Sequence, residues 1–215
     1  MKYTESGIVG DVKAILDENM DSGKLVMEDD VDTLSLDAII KSNILRAVEG
    51  VVKEAPARLL GTGLPFGDDI IWRDSPGRGP GYVILPVDFL RLVAFQMSDW
   101  ARQVGGYITE DDPLYPEQQS RYPGIRGNVR NPVLAIVQDA ANLILEFYSC
   151  EAGDGVHIRK ARYLPYPAFD KEGRVEIPRP VYTSVLYRVA ALTCTTLSAA
   201  EPAQTFMGLS RMELQ

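Results

Sequence analysis

The chain has 215 residues, 46% of them hydrophobic and 24% charged, a balance that fits a folded globular protein and excludes a disordered one. A formal charge of −8 and a pI near 4.8 argue against a surface that grips phosphates, because nucleic-acid binding draws its affinity from clustered Lys and Arg. A single α+β domain over residues 1–200, able to bury roughly 70% of its unfolded surface, is the expectation.

Residues 6–19 place Ile8, Val9, Val12, Ile15 and Leu16 on one face at helical spacing, which predicts a short amphipathic helix. An acidic link over 21–32 leads to a second helix. There Ser35 is placed to cap, Asp37 suits the first turn, and Leu36, Ile40, Ile44, Ala47, Val48 and Val51 form a stripe that Pro56 ends. Residues 61–81 are rich in glycine and carry Pro65, Pro76 and Pro80, so they read as a loop with one short strand at Ile70-Ile71-Trp72.

Residues 82–100 predict a strand, a corner and a second strand. Val83-Ile84-Leu85 run into Pro86, which fixes φ and has no N–H to give to a ladder. Asp88 is expected to bond the local backbone, and 90–97 alternate as a strand buried on much of both faces does. A second long connection, 105–131, holds Asp111-Asp112-Pro113, Pro116 and Tyr122-Pro123; connections of this length are commonly functional or ordered by partners.

Apolar β-rich segments follow at 133–138, 143–148 and 156–164. The short links between them predict antiparallel pairing through all three. Pro178 and Pro180 open a helix with Val185, Val189, Leu192 and Thr196 on one face, where Ala190 and Ala191 suit close packing. Residues 201–215, with Phe206, Met207, Leu209, Met212 and Leu214, read as a C-terminal tail ordered by a neighbour. The architecture expected is a central antiparallel sheet, a helical bundle from the two ends of the chain (6–56 and 180–200), and two projecting loops.

Little of this carries chemistry. His157 is the sole histidine, so a multi-His metal site is excluded, and neither Cys150 nor any serine lies in a G-x-S-x-G elbow. Cys150 and Cys194 read as small buried hydrophobes. Gly61-Thr-Gly-Leu-Pro-Phe-Gly67 lacks the Gly-Lys-Ser/Thr ending of a phosphate loop and runs into Asp68-Asp69, so it reads as a plain loop. The pairs Asp29-Asp30, Asp68-Asp69 and Asp111-Asp112 read as solvated turns, since none has calcium-loop spacing. Arg159-Lys160-x-Arg162 is split across two strand faces, and these basic groups, with Arg121, Arg126 and Arg130, suit salt bridges to a partner subunit and contact with DNA equally. No catalytic, metal or cofactor residue is assigned. With no apolar run near ~18 residues and no basic-then-apolar leader, neither membrane spanning nor secretion is expected.

Leu85-Pro-x-Asp-Phe-Leu-Arg-Leu92, with a strand ending near Trp100, resembles the corner segment of podovirus-type head-to-tail connector proteins, the neck, adaptor or tail-tubular rings of tailed phages. The order that follows, Gly127-Asn128, Asn131-Pro-Val-Leu-Ala-Ile-Val137, Asn142-Leu-Ile-Leu-Glu-Phe-Tyr148, Val156-His-Ile-Arg-Lys-Ala-Arg-Tyr163 and a proline-opened helix, extends the likeness over about residues 30 to 200. The ring proteins of crAss-like phages are the nearest in pattern.

The resemblance implies a non-enzymatic virion protein, made in the host cytoplasm, that forms a homo-oligomeric, dodecameric ring. Such a ring meets the portal protein and other neck or tail rings, and lets DNA pass without sequence-specific binding. It implies interface residues at Leu85, Pro86, Asp88, Phe89 and Arg91, on the loop at Tyr115, Arg121, Tyr122 and Arg126, and in the tail at Phe206, Met207, Leu209 and Met212. The rival readings are an intracellular hydrolase that pairs Asp68 or Asp69 with Asp111 or Asp112, and a host interaction module.

Overall fold

A computed structural model of the chain describes residues 1–19, 35–67, 69–122 and 124–215. The expected acidic link at 21–32, with Asp29-Asp30, lies outside them, as do Asp68 and Pro123. In chain order the elements are β1 (Lys2–Thr4), α1 (Glu5–Asn19), α2 (Leu36–Glu54), β2 (Leu64–Pro65), β3 (Ile71–Trp72), β4 (Gly81–Ile84), β5 (Phe89–Met97), β6 (Ile108–Thr109) and α3 (Tyr115–Gln118). They continue with β7 (Leu134–Asp139), β8 (Asn142–Phe147), β9 (Ile158–Pro165), β10 (Arg174–Glu176), α4 (Tyr182–Thr196) and α5 (Ala200–Met212). The fold is α+β. In place of one domain over 1–200, the chain divides into two compact units, Met1–Gly61 with Tyr166–Gln215, and Thr62–Pro165.

The first unit is helical, built from both ends of the chain. α1 buries Ile8, Val9, Val12 and Leu16 as its spacing demands. α2 begins where the Ala38 N–H donates to Ser35 Oγ at 3.3 Å, and stops at Ala55, extended as a residue before proline must be. α4 buries more than the predicted stripe: Ser184, Leu186, Arg188, Ala190, Ala191 and Cys194 are inside, whereas Leu192 is half-buried and Thr196 exposed. The reason is its position, packed against α1, α2 and α5 together.

Most of the stretch read as a tail is a helix. Residues 200–212 form α5, with Pro202 in the first turn, where a missing N–H costs nothing. Its Ala203 and Phe206, and Leu214 just beyond it, are buried within the unit. Ser184 Oγ donates to the Ser210 carbonyl at 2.8 Å, and Ser210 Oγ donates back to the Ser184 carbonyl at 2.9 Å. Two small residues at one level thus let α4 and α5 approach closely while leaving both hydroxyls satisfied.

Arg188 ties α4 to α2. Its Nη1 and Nη2 donate to Glu54 Oε1 and Oε2 at 2.8 and 2.6 Å, a two-pronged fit that suits a planar guanidinium. Gly50 makes the passage possible, because a Cβ there would stand 2.9 Å from Arg188 Nη1.

The second unit is β-rich. A three-stranded sheet, β2-β9-β5, and a five-stranded sheet, β3-β4-β8-β7-β6, are antiparallel throughout except where β6 runs parallel to β7. β7 and β8 form the predicted hairpin, but β9 does not continue it. β9 instead pairs with β5 and β2. The predicted strand, corner and strand at 82–100 are present, and the corner carries the chain from one sheet to the other. Phe66, Val83, Leu85, Phe89, Leu92, Phe95, Met97, Leu134, Leu145, Phe147 and Tyr163 close one core drawn from both sheets.

Arg188→Ala is expected to lower stability by about 2 kcal/mol in urea unfolding near pH 7, since it removes charge-assisted bonds and a buried stem. Hydrogen bonding from Arg188 holds the Glu54 carboxyl below its ordinary value, with partial burial opposing. A lowered folded pKa stabilises fully above the ordinary carboxylate range and is lost as pH falls through the folded value. The difference between wild type and variant should therefore shrink below about pH 4.

Candidate functional site

β8 and the residue that follows it read Asn142-Leu-Ile-Leu-Glu-Phe-Tyr148, and the period of two sends Leu145 and Phe147 into the core between the sheets. Ile144 and Tyr148 lie on the opposite face with Ala135 and Val137, covered by Ile108, Tyr115 and Val133 from the 105–131 connection and its end. Glu146 falls between them, 2% exposed. A carboxylate there is tolerated only if its oxygens are satisfied.

They are. Arg73 Nη2 pairs with Glu146 Oε1, and the Tyr148 hydroxyl donates to Oε2 at 2.8 Å. The Tyr115 hydroxyl lies 3.4 Å from the same Oε2. Arg73 also stands over the Tyr82 ring, 5.8 Å from its centroid. Burial first, and the neighbouring Glu146 second, push the hydroxyls of Tyr115 and Tyr148 upward, so both stay protonated donors at neutral pH.

A second anchor lies along the same connection. The buried Gln118 donates through Nε2 to the Leu114 carbonyl at 3.1 Å and accepts the Gly127 N–H at 2.8 Å. The Gly127 carbonyl accepts from Ser149 Oγ, just past the end of β8. Only glycine fits, because a Cβ on residue 127 would meet the Val133 backbone nitrogen at 2.7 Å. Asp112 starts a turn as its sequence predicts, accepting the Leu114 N–H at 2.9 Å. The connection expected to project is thus fastened to β8 at Glu146 and, just beyond the strand, at Ser149.

What it presents outward is apolar and aromatic. Tyr107, Leu114, Tyr122 and Ile125 are 40%, 51%, 58% and 55% exposed, although each would lose water contact favourably. Arg121 packs its guanidinium 5.4 Å from the Tyr122 ring centroid. Arg126 is half-buried, and its Nε is buried without a hydrogen-bond partner among the described residues.

The other expected contact residues fare differently. Leu85, Phe89 and Phe206 are core residues and present no contact surface, because sheet and helix packing have already consumed them. Asp88 does not bond its local backbone; it accepts the Tyr163 hydroxyl at 2.9 Å, while the Phe89 N–H closes the turn on the Pro86 carbonyl at 3.0 Å. Val87, at the tip of that corner, is fully exposed. Pro86, Arg91, Met207 and Leu209 are half-buried, and Met212 is exposed.

His157 is exposed, with Nδ1 2.9 Å from the Gly155 carbonyl. Cys150 and Cys194 are buried, and burial pushes both thiols upward. Leu64 and Pro65 of the glycine loop pair with β9. Asp69 and Asp111 are exposed, as are Arg159 and Lys160, the last donating to Gln103 Oε1 at 2.8 Å.

Sequence reasoning passed over Glu146 and Arg73, and with them Leu114 and Ile125. The one available signal was a lone carboxylate in an otherwise apolar strand.

No protein-family model matches the chain, and a comparison with curated proteins finds no significant match.

Tyr115→Ala is expected to loosen the connection while leaving the unit folded. Amide exchange across 110–127 should quicken by roughly tenfold, with little change in β5 and β9. Equal protection in the variant would show that Tyr115 does not fasten the segment.

Proposed function

We propose that this chain is a structural subunit of a tailed-phage neck, assembling as a homo-oligomeric ring that joins the portal to the tail. The observation that carries the reading is the set of large apolar side chains held outward on an anchored connection. Tyr107, Leu114, Tyr122 and Ile125 are exposed along it, Arg121 packs against the Tyr122 ring, and Tyr and Arg are the residue types that concentrate at the centres of protein interfaces. Ordering such a segment in advance lowers the entropy lost on association.

The strand and corner at 82–92 support the same reading through their resemblance to connector rings. So does the net charge of −8, which suits a channel that DNA traverses without being gripped. A ring needs two different patches on each subunit, so that one copy's first meets the next copy's second.

Light scattering and negative-stain images of the purified protein, alone and with a portal protein, test the reading. Closed rings are the expected result. A chain that stays monomeric at high concentration with portal present would overturn it.

A further inference from the structure

The 105–131 connection segregates its charges. Glu110, Asp111, Asp112 and Glu117 occupy its first half, and Arg121, Arg126 and Arg130 its second, with no cation among the former and no acid among the latter. Opposite charges so close in sequence commonly pair within the chain. Among the described residues of the β-rich unit, Arg73 and Glu146 form the one ion pair, and the connection's own acids and arginines form none.

The backbone explains why. Tyr115 fastens the acidic half to Glu146, Ser149 fastens the basic half through Gly127, and Gln118 fills the space between them. Each half is held in place, and most of its charged side chains point to solvent: Glu110, Asp111, Glu117, Arg121 and Arg130 are all exposed, while Asp112 and Arg126 are half-buried. The exposed Leu114 lies within the acidic half, Tyr122 and Ile125 within the basic one.

From this arrangement we infer that the connection makes a head-to-tail contact between copies of this chain, the acidic half of one copy meeting the basic half of the next. Glu110, Asp111 and Glu117 face Arg121 and Arg130 across it, and Tyr122 is covered at its centre. A second copy is the occupant the surface itself specifies, because it carries both charge signs in the same spacing. Complementary charge sets the register and suppresses wrong partners, while the covered apolar groups supply the affinity. The inference rests on the ring reading and names the contact that would build it.

Charge exchange tests it. An acidic-half variant, E110R/D111R/E117R, and a basic-half variant, R121E/R130E, should each raise the concentration needed for assembly at least tenfold, with circular dichroism unchanged. A chain carrying both sets should recover assembly, as should an equimolar mixture of the two single-set variants through the contacts that unite like-exchanged halves. Assembly of the wild type should also weaken as salt rises.

Single-set variants that assemble like wild type would overturn the contact while leaving the ring reading standing. So would a combined chain that folds but fails to recover. A wild-type protein that stops at a dimer, sensitive to the same exchanges, would show the two halves pairing reciprocally in a closed two-fold contact, and would overturn both the head-to-tail contact and the ring. A wild-type monomer at all concentrations would overturn both.

Discussion

A single buried carboxylate organises the face on which the functional reading rests. Glu146 lies near the end of a strand covered on both sides, by the facing sheet through Leu145 and Phe147 and by the 105–131 connection through Ile144 and Tyr148. Leaving that charge unpaired would cost several kcal/mol, so whatever covers it must bring donors. Arg73 and Tyr148 come from the sheet and its edges, but Tyr115 comes from the connection. The need to satisfy one acid is thereby converted into a place for a long segment that has almost no regular structure of its own.

The corner at Pro86 serves the same unit in another way. By ending β4 in one sheet and starting β5 in the other, it lets two sheets share a core without either needing a long crossover. Tyr163 of β9 donates to Asp88 and stacks on Phe89, so the strand that pairs with β5 also pins the turn preceding it. Register shifts along β5 and β9 at three places add twist, as bulges do, and allow a nine-residue strand to follow the curvature of the core.

The helical unit is held together by different means. Arg188 bridges α4 to Glu54 of α2, and the reciprocal Ser184 and Ser210 bonds set the separation of α4 and α5. Apolar residues that look adhesive in the sequence, Phe206 and Leu214, are spent inside this packing. The outward-facing apolar groups that remain for a partner lie mainly on the β-rich unit, along the connection and at the corner tip. A surface assembled from Tyr, Arg, Leu and Ile on a fastened segment is well suited to a protein partner, and its segregated charges suit one that carries the same surface.

Much of the local structure was legible in the residues, because helix periodicity, strand alternation and proline corners depend only on near neighbours. The faces of α1 and α2, the Ser35 cap, the short strand at Ile71–Trp72, the hairpin of β7 and β8, and the corner at Pro86 all follow from spacing and backbone chemistry. What spacing leaves open is the choice among distant partners of similar propensity. That β9 joins β5 rather than β8, that Pro202 opens a helix, and that Leu85, Phe89 and Phe206 are core rather than contact were decided by packing over long sequence separations. Glu146 shows the division most sharply. Its position in an apolar strand is written in the sequence, but only the fold brings Arg73, Tyr115 and Tyr148 to its two oxygens, since a buried charge is stabilised by whatever donors three-dimensional proximity supplies.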